Sequence, residues 1–133
     1  MTIPALSLDY QFTTTVEKLW SALTDSGKLA KWITENDFKP VVGHQFRFRH
    51  QAFNGWDGII DGEVVAVDPP DRLSYTWTSA GERHTLTWTL QDLGDGKVNL
   101  HLEQTGFSNV QGLEGARYGW GQWFGELEKV LAQ

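Results

Sequence analysis

Four histidines, His44, His50, His84 and His101, are the side chains of this 133-residue sequence best suited to moving a proton near neutral pH. Strand spacing puts His84 on the same face as Leu86 and Trp88. There it could hydrogen-bond a ligand hydroxyl or carbonyl, or serve as a general base. The plainer reading is a strand-end histidine wetted at a rim. His44 and His50 share parity with Phe46 and Phe48, while His101 falls on the outer face. No H-x-H or H-x-x-x-H pair occurs, so no metal site is expected. The absence of cysteine removes disulfides, thiolate metal ligands and a cysteine nucleophile. There is no G-x-S-x-G, H-E-x-x-H or P-loop, and "GDG" at 94–96 reads as a hairpin turn rather than a phosphate cradle. Glu63 and Glu103 sit opposite the apolar parity, and Asp57 and Asp61 have no identifiable partner. No residue is therefore assigned a catalytic role, and no cofactor is expected.

The composition points the same way. A net charge of −6 without a basic block suits neither a phosphate backbone nor an anionic membrane surface. No apolar run approaches the ~20 residues needed to span a bilayer. Met-Thr-Ile-Pro is not a basic region followed by an apolar run, so no signal peptide is read and a cytoplasmic location is expected. The unusual feature is seven tryptophans beside seven phenylalanines and three tyrosines. They mean either a well-filled core or a core left partly open and lined with rings.

The elements that would position these groups follow from periodicity. "LSLDYQF" alternates as a half-buried strand. In "TTTVEKLWSALTD", Thr14 and Glu17 have capping-box spacing, ahead of Val16, Leu19, Trp20 and Leu23 at helical intervals. "SGKLAKWI" predicts a second short helix capped by Ser26. "HQFRFRH" predicts a strand with Arg47 and Arg49 on its wet face. "QAFNGWDG" reads as a loop, and "IIDGEVVAV" as a strand whose broken alternation implies a bulge. "LSYTWT", "RHTLTWTL" and "VNLHLEQ" continue the antiparallel run, with "DPPDR" and "DLGDGK" as tight connections. Ser108 or Asn109 would cap a long last helix. Segregated helices and hairpin-linked strands make the class α+β, in one domain spanning 1–133.

On that last helix, Leu113, Ala116, Trp120, Trp123, Phe124, Leu127 and Leu131 fall within roughly 60° of Trp120. Arg117 lies at the stripe's edge, able to reach an anion or to extend into solvent over a ring. Gly119 and Gly121 fall at its two borders, and Gly115 and Gly125 toward the back. Each helical glycine costs roughly 1 kcal/mol against alanine. Border glycines give clearance for a ligand or a backbone along the flanks, and neutral drift is the competing explanation.

The sequence resembles the SRPBCC (START-like, helix-grip) superfamily, in the bacterial branch related to the activator of heat-shock protein 90 ATPase. The resemblance is carried by "VEKLWSALTD", "KWI", "FKPVVGHQFRF", "GEVVAVDPPDRLSYTW", "TLTWTL", "TGF" and the "GW" of Gly119–Trp120, in family order over nearly the whole chain. It implies a curved antiparallel sheet of six or seven strands gripping the C-terminal helix, with two short helices after the first strand. It also implies a cavity between sheet and helix for an apolar molecule, whether lipid-like, polyketide or aromatic. The expected walls are Phe46, Phe48, Tyr75, Trp77, His84, Leu86, Trp88, Leu100 and Leu102 from the sheet. Arg117, Trp120, Trp123 and Phe124 are expected from the helix, with Gly119 and Gly121 giving clearance. A chaperone-contacting interaction module is the alternative, and a cyclase or hydratase using His84 a more distant one.

Overall fold

The computed structural model describes residues 3–52 and 54–133. Phe53, in the middle of the predicted 51–58 loop, lies outside the described residues, as do Met1 and Thr2. The elements run β1 (Leu6–Thr13), α1 (Val16–Thr24), α2 (Ser26–Trp32), β2 (Glu35–Asn36), β3 (Gln45–Arg49), β4 (Ile59–Asp68), β5 (Arg72–Ser79), β6 (Glu82–Gly94), β7 (Lys97–Thr105) and α3 (Val110–Leu131). The sheet has seven strands in the order β1-β7-β6-β5-β4-β3-β2, and the strand pairs are antiparallel. It is the expected helix-grip α+β arrangement: a curled sheet holding α3, with two short helices after the first strand. β2, two residues long, carries no alternation and was not foreseen from the sequence.

Alternation becomes a wall because one face of each strand is buried. Phe46 and Phe48 on β3, Leu86, Trp88 and Leu90 on β6, and Leu100 and Leu102 on β7 are all buried. Their neighbours Arg47, Arg49, Thr85 and Thr89 are exposed. The expected bulge in β4 falls between Val64 and Ala66. Gly62 of β4 is a necessity of close approach: a Cβ there would run into the Thr76 carbonyl and the Phe46 ring.

The two predicted helix starts shift by one residue each. Thr15, not Thr14, caps α1, accepting from Lys18 N at 3.2 Å. Thr14 is still committed to the sheet, since its N–H donates to Gly96 O at 2.9 Å. Asp25, not Ser26, caps α2 through Lys28 N at 3.0 Å. Ser26 instead donates its hydroxyl to Asn36 O at 2.8 Å, tying α2 to β2. At α3 the cap is Asn109, which accepts from Gly112 N at 2.7 Å.

The stripe on α3 buries Leu113, Trp120, Phe124 and Leu127 against the sheet, with Ala116, Trp123 and Leu131 partly buried beside them. Trp88 is the centre of this contact. Its ring is edge-on to Trp120 at 5.2 Å and to Trp32 at 6.4 Å. Its Nε1 donates to the Tyr75 hydroxyl at 2.8 Å. Burial pushes the Tyr75 phenol far above its ordinary pKa, partly offset by that bond, so it stays neutral. Tyr75→Phe would leave the Trp88 N–H buried without an acceptor. We expect it to lower unfolding free energy by about 1–3 kcal/mol in a urea titration, with the fold retained.

Candidate functional site

The rings do not leave a hollow along the whole sheet–helix contact. A cavity of about 350 Å³ opens at one end, between the loop that joins β3 to β4 and the first half of α3. His50 and Trp56 line it from the loop, Ile60 from β4, Trp77 and Ser79 from β5, and Gln104 from β7. Gly115, Ala116, Gly119, Trp120 and Trp123 line it from α3. The volume lies within the roughly 300–1,000 Å³ typical of small-molecule sites.

The loop is shaped by a tight closure. His50 N donates to Gly58 O at 2.7 Å, and Gly58 has φ of 80°. A Cβ at Gly58 would collide with the His50 carbonyl, so both the conformation and the space demand glycine. The closure holds the His50 ring parallel to Trp123, with centroids 5.6 Å apart, and 5.7 Å from Trp56. Trp123 in turn stands edge-on to Trp120 at 5.0 Å. The Trp56 Nε1 is shielded from solvent and has no partner among the described residues.

Below the cavity runs a polar chain. Trp120 Nε1 donates to Gln104 Oε1 at 2.8 Å, and Gln104 Nε2 meets His84 Nδ1 at 2.7 Å. His84 Nε2 meets Glu82 Oε1 at 2.9 Å. Glu82 then accepts the Ser108 N–H and hydroxyl, each at 3.0 Å, at the entrance to α3. Burial works to raise the Glu82 carboxyl, but the Ser108 and His84 bonds outweigh it and hold the pKa below the usual range.

The predicted site residues divide accordingly. Trp77, Trp120, Trp123 and Gly119 line the cavity. Phe46, Phe48, Tyr75, Leu86, Trp88, Leu100, Leu102 and Phe124 lie in the packed core, where the rings fill the space themselves. Phe46, for instance, is 5.0 Å from Phe38 and 5.2 Å from Tyr75. His84 is one layer behind the wall, edge-on to Phe107 at 4.4 Å. Arg117 is exposed and paired with Glu114 at 3.3 Å. Gly121 is exposed on the opposite flank of α3 from Gly119. His44 bonds the Asp37 carbonyl at 2.8 Å, and His101 bonds Asp9 at 3.0 Å, both away from the cavity. Asp61 pairs with Arg47 at 2.7 Å, supplying the partner that the sequence did not reveal. Among the described residues no three His, Asp or Glu side chains gather as a metal-holding group.

Sequence reasoning did not assign His50, Trp56, Ile60, Ser79, Gln104, Gly115 and Ala116 to the wall. The available signals were the parity of His50 with Phe46 and Phe48, that of Gln104 with Leu100 and Leu102, and a tryptophan inside a glycine loop between two strands.

A curled antiparallel sheet around one long helix, with a ring-lined opening beside that helix, defines the helix-grip class of domain. Within it, the chain belongs to the family described as Activator of Hsp90 ATPase homolog 1-like protein, whose pattern matches residues 13–132. Protein MLL2253 from Mesorhizobium loti is 38% identical over 96% of each chain, with a TM-score of 0.86. Protein BH1534 from Bacillus halodurans is 25% identical, covering 98% of this chain and 99% of its own, at 0.81. CalU16 from Micromonospora echinospora is 24% identical over 98% of this chain and 81% of its own, at 0.78, a likeness of fold. No curated protein matches the sequence. Among the described residues no helix is long and apolar enough to cross a membrane.

Burial lowers the His50 pKa. The unfolded chain therefore takes up the proton first, and this stability contribution is intact above the ordinary histidine range and lost as pH falls through it. An NMR titration should place the His50 midpoint below about 6.5. His50→Phe should flatten the stability loss between about pH 7 and pH 5.

Proposed function

We propose that the chain binds a small apolar molecule in this side cavity. The observation that carries the reading is about 350 Å³ of space walled by Trp56, Trp77, Trp120 and Trp123 while the helix beside it carries Gly115 and Gly119. Rings offer large apolar area with few torsions to freeze, so a ligand seated among them loses water at little entropic cost. Around the helix axis Ala116, Trp123, Gly119 and Gly115 all fall on one side of Trp120, at roughly 40° to 140°. Gly121 and Gly125 fall on the other side. A Cβ at either pair meets nothing within 4 Å, but only Gly115 and Gly119 border the cavity.

This asymmetry separates binding from folding. Gly119→Leu removes a helical glycine and fills the cavity. Its melting temperature should match or exceed that of the wild type, because the helix gains up to about 1 kcal/mol in intrinsic preference. Its affinity for the neutral fluorophore N-phenyl-1-naphthylamine should fall at least about tenfold, or ~1.4 kcal/mol. Gly121→Leu should gain the same stability and keep the affinity. Undiminished fluorophore binding by Gly119→Leu overturns the proposal.

The family description favours a second reading, contact with a chaperone ATPase. That reading needs no cavity. Co-purification with a host chaperone that survives Gly119→Leu would favour it.

A further inference from the structure

Gln104 is the buried side chain in the cavity wall whose polar atoms are held in a single orientation. The indole N–H of Trp120 can only donate, so the atom facing it must be the amide oxygen. The amide nitrogen then faces His84 Nδ1, which must accept. The ring proton therefore sits on Nε2 and is donated to Glu82. Turning the amide over would set N–H against N–H at Trp120 and leave a lone pair facing a lone pair at His84. An amide has two N–H groups and two oxygen lone pairs, and this chain uses one of each. One donor and one acceptor remain on Gln104, at the wall of a cavity whose other lining residues include four tryptophans, His50 and Ser79.

We propose that Gln104 is the specificity-determining residue of the cavity, oriented by Trp120 and by the Glu82–His84 pair, and that it selects ring compounds bearing a phenolic hydroxyl. The inference rests on the reading of the cavity as an apolar ligand site. A hydroxyl suits it because one oxygen both donates and accepts, so it can use either unspent site of the amide. It also brings no further polar atom to desolvate among the tryptophans. His84 and Glu82 are positioning residues here, one and two layers behind the wall.

The test compares 2-naphthol with 2-methylnaphthalene, which have nearly the same shape, by calorimetry. The wild type should favour 2-naphthol by about five- to tenfold, the scale of one net neutral hydrogen bond. Gln104→Met should bring that ratio to about one while 2-methylnaphthalene still binds. His84→Phe should lower the ratio without changing 2-methylnaphthalene affinity, a split that a merely structural role would not produce. Nitrogen-15 NMR of the wild type gives a reading independent of any variant's folding. It should show the Nε2-protonated tautomer of His84, and a Gln104 side-chain amide that shifts with 2-naphthol but not with 2-methylnaphthalene. Equal wild-type affinity for the two probes, an unchanged ratio in Gln104→Met, or an amide resonance that 2-naphthol leaves in place overturns this inference alone. Failure of both probes to bind removes the underlying ligand reading, and this inference with it.

Discussion

An indole ring brings more apolar area than any other side chain, but its N–H must find an acceptor once water is gone. That constraint organises the centre of this protein. Trp32 donates to the Ala22 carbonyl at the end of α1, Trp88 to the Tyr75 hydroxyl across two strands, and Trp120 to Gln104 from helix to sheet. Each bond fixes a ring that would otherwise be free to turn. Together they join α2, the sheet and α3, because the three rings also touch one another edge-on or tilted. The polar atoms in this core are thus the fixings that make a tryptophan-rich interior a single arrangement.

The same constraint explains why the open space lies at one side. Where rings from sheet and helix interlock, as Trp88 does with Trp120 and Phe124, nothing is left over. In this cavity space persists where α3 offers no side chain, at Gly115 and Gly119, and where the loop from β3 to β4 supplies part of the wall. The glycines therefore weaken the helix at the place where extra bulk would close the opening.

Much of the fold was legible in the sequence. Strand alternation and the helical stripe report which atoms must leave water, and the structure buries those atoms. The helix starts were less legible, because Thr14 and Thr15 are both good caps in isolation. The choice fell to Thr15 because the N–H of Thr14 bonds to Gly96, far along the chain. The cavity was least legible. Periodicity says that Phe46 and Trp77 face the helix, but not that Phe38 and Tyr75 will fill the room beside Phe46 while the room beside Trp77 stays open. That difference is set by the path of the loop through Gly58, a non-local property with no period to read. Gln104 ended the inward register of β7 beyond Leu100 and Leu102, so its place in the wall could have been inferred from parity.

The pairing of the first strand with the last, Leu6 beside Gln104 through Thr13 beside Lys97, has a consequence for assembly. The hairpins from β3 to β7 can zip between neighbours as soon as they exist. β1 has no adjacent strand until β7 has been made. Until then its unpaired edge is open to any other strand, and the closing contact carries the entropic cost of joining distant parts of the chain. On the ribosome, β1 must wait for β7.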